Sequence, residues 1–115
     1  MKEKDIQAKI VKWLKLWKHN SYFFKIPAGR FSRSGLSDIV GIYKRNNIGI
    51  FVALEIKTAT GKLSALQRDF LTEVIEKGGV AVVLRSLEDC KILFFKLEQG
   101  ESIQNINIAN DVNFF

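Results

Sequence analysis

Apolar residues in the first stretch of the chain recur at three- and four-residue spacing: Ile6, Ile10, Trp13, Leu14 and Trp17, with Lys4, Lys9, Lys12 and Lys15 on the other faces. The spacing predicts an amphipathic helix from about Glu3 to Lys18. Tyr22-Phe23-Phe24-Lys25-Ile26 then reads as a short strand that stops at Pro27. Ala28 to Ser37 is a loop by composition, broken by Gly29, Gly35 and its serines, and the lone His19 falls in a polar loop ahead of the strand. Asp38 to Tyr43 and Ile50 to Lys57 are β-rich runs separated by the hairpin loop KRNNIG. A turn at Thr58 to Lys62 leads into a helix from Ser64 to about Lys77, with Leu66, Phe70, Leu71, Val74 and Ile75 inward and Gly78-Gly79 as its stop. Val80 to Leu84 is apolar throughout, as in a strand covered on both faces. Ser86 with Asp89 resembles a capping box opening a last helix through Leu87, Cys90, Phe94 and Leu97.

The order is α-β-β-β-α-β-α. A three-strand meander followed by a helical crossover should set the fourth strand parallel to the third, giving a small mixed sheet flanked by helices. Residues 1–100 hold all these elements; residues 101–115 form an Asn-rich extension whose composition leaves its structure open. No apolar run reaches the roughly 18 to 20 residues of a membrane helix, and the charged N-terminus lacks a signal-peptide core. One cysteine and no Cys/His cluster remove disulfide-scaffold and zinc-finger readings. A cytosolic single domain is the expectation.

Charge changes the picture more through its distribution than its total of +6. Residues 1–68 hold fourteen Lys/Arg against four Asp/Glu, a net of +10, whereas residues 69–115 hold four against eight, a net of −4. Such a basic half favours a polyanionic partner, most often nucleic acid.

Between Ile6 and Arg68 the only acids are Asp38 and Glu55, one in each predicted hairpin strand. If the hairpin closes symmetrically at Tyr43 and Ile50, Asp38 falls opposite Glu55, with Cβ atoms about 5 Å apart. Two carboxylates that close need a proton, a cation or a guanidinium between them, and a hard divalent ion with oxygen ligands suits the pair. The period of two sets Lys57 on the Glu55 face, so an ammonium stands beside the acids. An E-x-K at a strand end is otherwise a surface ion pair. Glu3 falls within the apolar arc of the first helix, either exposed at the open helix end or facing a partner. Gln67 falls mid-stripe on the second helix and completes the sequence of a capping box from Ser64. Composition does not separate capping from a role at the site.

Together these residues resemble the VRR-NUC family, the virus-type replication-repair nucleases of the PD-(D/E)xK superfamily. The matching text is Glu3 with Ile6-Gln7, Gly29-Arg30, Gly35 to Gly41, Leu54-Glu55-Ile56-Lys57-Thr58, Gly61 to Gln67, Gly78-Gly79 and Val83 to Ser86. Ser37 departs from a proline frequent in the family. The resemblance implies a restriction-endonuclease-like core and Mg²⁺- or Mn²⁺-dependent cleavage of DNA phosphodiesters, with no small-molecule cofactor. By position, Asp38, Glu55 and the Ile56 carbonyl would hold the metal, Glu3 would be an outer or second-metal ligand, Lys57 would orient the attacking water, and Gln67 would sit beside Lys57. Arg30 and Arg33 in the loop, with Lys62 and Arg68 across the site, would contact DNA phosphates. Stand-alone members resemble Holliday-junction resolvases, which implies a homodimer acting on branched duplex DNA, with a phage or bacterial cytosolic setting. The rivals are a nuclease acting on flaps, ends or RNA, a non-catalytic DNA-binding module of the same fold, and a basic adaptor for a protein partner.

Overall fold

The fold was obtained as a computed structural model, which describes residues 2–17, 20–27 and 35–108. Lys18, His19, Gly29, Arg30 and Arg33 lie outside them, as do residues 109–115. The elements in chain order are α1 (Glu3–Leu14), a 3₁₀ turn (Lys15–Trp17), β1 (Ser21–Lys25), β2 (Ile39–Arg45), β3 (Ile48–Ile56), α2 (Ala65–Glu76), β4 (Val80–Leu84), α3 (Leu87–Glu98) and α4 (Ile103–Ile108). The four strands form one sheet in the order β1-β2-β3-β4, antiparallel except for the parallel β3–β4 pair. The restriction-endonuclease-like order and mixed sheet expected from the sequence are therefore present.

The boundaries differ from the sequence reading in three informative places. The first helix gives way after Leu14 to the 3₁₀ turn, the usual tightening of a helix end. The predicted KRNNIG loop shrinks to Asn46-Asn47, because both asparagines adopt positive φ (53° and 63°) and let the strands pair right up to the turn. The hairpin ladder is Arg45↔Ile48, Tyr43↔Ile50 and Ile39↔Leu54, the symmetric closure assumed from sequence. Finally, the C-terminal extension contains α4, which covers the outer edge of β4. The Asn107 side chain accepts from the Ala81 amide and donates to the Gly79 carbonyl, both at 3.0 Å, in place of a fifth strand.

The two sheet faces are unequally covered. Ile39, Tyr43, Val52, Leu54, Ile56, Val80, Val82 and Leu84 point to one face and pack against α1, α3 and Ile106 of α4. Phe94 of α3 is the centre of that core: Trp13, Phe23 and Tyr43 meet its ring edge-on at 5.3 to 5.8 Å. On the other face Val40, Ala53, Ala81 and Val83 pack against α2 and Leu63. This second layer covers β3 and β4, while Tyr22, Ile42 and Phe51 of the same face stay exposed. Among the described residues no helix is long and apolar enough to cross a membrane.

Candidate active site

The register carries Asp38 and Glu55 to opposite positions at the end of the hairpin, on the α2 side of the sheet. Asp38 ends the ladder rather than joining it. Its carbonyl accepts from the Ile26 amide at 2.9 Å, and its Oδ2 accepts from the Ile56 amide at 2.8 Å. Ser37, buried just ahead of it, donates its hydroxyl to the Ile39 carbonyl and fixes the entry to β2. Gly35 closes the approach. It adopts φ +86°, and a Cβ there would lie 2.7 Å from Leu66 Cβ in the first turn of α2, so any side chain would push the loop off the helix.

Glu55 is the buried member, 1% exposed. Its Oε2 receives Nε2 of Gln67 at 3.1 Å and lies 3.7 Å from Nζ of Lys57, itself only 12% exposed. With both acids ionised, its Oε1 is buried without a hydrogen-bond partner among the described residues. Burial is the main force pushing the Glu55 carboxyl up to about 8; the Asp38 charge adds to it, as does a hydrogen bond to Asp38. Lys57 pulls the other way, and the more distant Glu3 charge adds a further upward push. A carboxylate kept from water beside a second one, with an oxygen left over, is chemically unsatisfied unless a proton or a cation joins it.

Gln67 resolves a choice the sequence left open, because it does both jobs. Ser64 Oγ accepts from the Gln67 amide at 3.1 Å, and Gln67 Oε1 accepts from the Ser64 amide at 2.9 Å, a complete capping box. The other end of the same side-chain amide is the donor to Glu55. Capping thus fixes the rotamer that delivers Nε2 to the acid. Lys57 stands just beyond β3, held by its amide donating to the Leu84 carbonyl at 3.0 Å.

One positioning group escaped the sequence reading. Arg85, just past β4, donates Nη1 to the carbonyls of Thr58 and Gly61, each at 2.7 Å. It clasps the turn joining Lys57 to the Ser64–Gln67 cap. Its own amide donates to Asp89 Oδ2, so Asp89 reaches one residue past the Ser86 amide that a capping box would have it accept from. An arginine after a buried strand was visible in the sequence; its carbonyl partners, more than twenty positions away, were not.

The structure gathers Asp38, Glu55, Lys57 and Gln67, with the Ile56 peptide between the acids. Glu3 sits exposed in the first turn of α1, and its charge reaches Glu55, but no three Asp, Glu, His or Cys side chains converge among the described residues. Lys62 is exposed between the turn and α2, and Arg68 is half-buried in the first turn of α2, its amide donating to the Ser64 carbonyl. Arg30 and Arg33 lie outside the described residues.

Comparison with known proteins agrees with the fold. The sequence profile of the VRR-NUC domain matches residues 1–88. A solved VRR-NUC domain protein superposes with a TM-score of 0.69 at 19% identity, covering 88% of this chain and 92% of that one. Hjc of Archaeoglobus fulgidus, a Holliday junction resolvase from an archaeal hyperthermophile, superposes with a TM-score of 0.44 at 24% identity, over 69% of this chain and 67% of its own. Comparison with curated protein sequences returned no match.

Proposed function

The chain belongs to the VRR-NUC domain family, and we propose that it is a divalent-metal-dependent, structure-specific DNA endonuclease acting on branched duplexes such as Holliday junctions, as a homodimer with one site for each strand. The observation that carries this is the convergence on Glu55: a buried carboxylate facing Asp38, with an unpartnered oxygen and an ammonium 3.7 Å away. A purely structural ion pair has no use for the second acid, and a DNA-binding module gains nothing from two acids facing phosphate.

The donor set fits Mg²⁺ or Mn²⁺: two carboxylates and the Ile56 carbonyl are hard oxygen ligands, and Glu55 Oε1 is an oxygen in want of a cation. When bound, the ion lowers the pKa of water and offsets charge developing on the phosphate. Glu3, whose charge reaches Glu55, is assigned the outer ligand position. Lys57 holds the attacking water and stabilises negative charge at the phosphorus. Gln67 donates to Glu55 Oε2, so the acid keeps a partner when the Lys57 ammonium, 3.7 Å away, turns toward substrate. Lys62, Arg68, Arg30 and Arg33 supply phosphate contacts that position a duplex without reading its sequence.

Cleavage of linear, flapped and four-way DNA with Mg²⁺, Mn²⁺ or EDTA tests the reading. The expected result is metal-dependent cleavage strongest at the branched substrates. Cleavage of linear duplex as fast as four-way DNA would remove the structure specificity, and none with either metal would remove the nuclease.

A further inference from the structure

The α2 side of the sheet carries a row of exposed apolar side chains at the end away from the acids. Tyr22, Ile42 and Phe51 stand opposite one another on β1, β2 and β3, and Phe24 follows on β1 with its ring 5.9 Å from that of Tyr22. Tyr22 is 71% exposed, Ile42 50%, Phe24 48% and Phe51 42%. The strand period of two puts them on the face that bears Asp38 and Glu55. Along β2 the Tyr22–Ile42 row lies four residues from Asp38, roughly 13 Å, and the Phe24 position lies two residues away, roughly 7 Å. That span matches about four stacked nucleotides.

From this we propose that Tyr22 and Phe24, backed by Ile42 and Phe51, form a stacking platform for the unpaired bases of a DNA strand whose backbone runs into the Asp38–Glu55 site. The inference rests on the nuclease reading and specifies its substrate: a branch or flap that presents unpaired nucleotides beside the scissile phosphate. Exposed aromatic rings on a sheet face hold bases without regard to sequence, because every base offers a π-face. The charge fits a polyanion. Lys44 is exposed on the same face, and residues 1–68 carry a net of +10. Glu73, which lines a shallow pocket with Phe51, is paired with Lys77 at 3.4 Å. A second copy of the chain is the less favourable occupant. A two-fold contact would bury the patch against its own copy and draw the exposed Lys44 of each protomer into the seam, where charge is disfavoured.

The test is binding in EDTA, where no cleavage intervenes, of oligonucleotides carrying 2-aminopurine either in an unpaired flap or within duplex. The wild-type protein should quench the unpaired probe and leave the duplex probe, already dimmed by stacking on its neighbours, unchanged. Tyr22→Ala and Phe24→Ala should each weaken binding to the unpaired strand by roughly five- to a hundredfold and lose the quench. Duplex affinity, sedimentation mass and melting temperature should stay as in wild type. Unchanged quench and affinity in both variants would overturn the platform. So would an equal loss of duplex binding, or a fall from dimer to monomer, which would make the patch a self-association surface. Cleavage is scored separately: a protein that quenches but never cuts with Mg²⁺ or Mn²⁺ fails as a nuclease and keeps the platform, and one that cuts without quenching does the reverse.

Discussion

The two faces of the sheet are built for different ends. One is sealed by α1, α3 and α4, with Phe94 at the meeting point of three aromatic rings. The other is covered only over β3 and β4 by a single helix, with a buried acid and its unpartnered oxygen under the margin of that cover and a row of exposed apolar side chains beyond it. Stability is concentrated in the layer of interlocked apolar side chains around Phe94. Chemistry sits where pairing is deliberately incomplete. Substitutions on the two faces should therefore separate cleanly into those that unfold the protein and those that silence it.

The largest effect on the open face is expected from Asp38→Asn. The amide oxygen still accepts from the Ile56 amide, so the melting temperature should hold, while cleavage falls on the order of a hundredfold or more. DNA binding should persist or tighten, since a charge repelling phosphate is gone. Full activity in this variant would end the site assignment. Phe94→Ala on the sealed face should do the opposite, costing about 3 to 5 kcal/mol in denaturant titration with activity per folded molecule retained.

Gln67 belongs to both regimes. Gln67→Ala should cost about 0.5 to 2 kcal/mol through the lost cap and also lower turnover, because Glu55 loses its donor. Gln67→Glu keeps the capping oxygen and replaces that donor with a charge against Glu55; it should fold and cleave poorly. Normal cleavage by Gln67→Glu would leave the residue a cap alone. The smallest effect on cleavage is expected at the covered edge. Asn107→Ala strips two hydrogen bonds from β4 and should cost about 1 to 3 kcal/mol, with cleavage untouched.

Much of this arrangement was legible in the chain. The Asp38–Glu55 opposition follows from symmetric hairpin closure, and the Ser64–Gln67 cap follows from spacing, because both depend on short-range periodicity. What escaped depended on distant backbone. The guanidinium of Arg85 answers carbonyls at Thr58 and Gly61, and Asn107 answers the peptide groups of Gly79 and Ala81. Peptide acceptors carry no residue-type signal, so only the folded geometry reveals them. The depth of Glu55 was likewise hidden: strand phase assigned its face, but the covering by α2 and the Leu63 segment decides its solvation.

Glu55 offers the most direct measurement: thermal melts of wild type and Glu55→Gln across pH, in EDTA and in Mn²⁺. The unfolded carboxyl titrates near 4.5 and the folded one near 8. Between those values the metal-free folded state holds more protons than the unfolded state, so stability is fully present below pH 4.5 and declines as pH rises through 8. Mn²⁺ replaces the proton, and its stabilisation should therefore grow over the same interval by mass action. Glu55→Gln has no proton to lose at this position. In EDTA it should melt above wild type at pH 9, ignore Mn²⁺, and fail to cleave DNA. A wild-type melting temperature indifferent to Mn²⁺ at every pH, with Glu55→Gln still cutting DNA, would contradict a cation site at the Asp38–Glu55 pair.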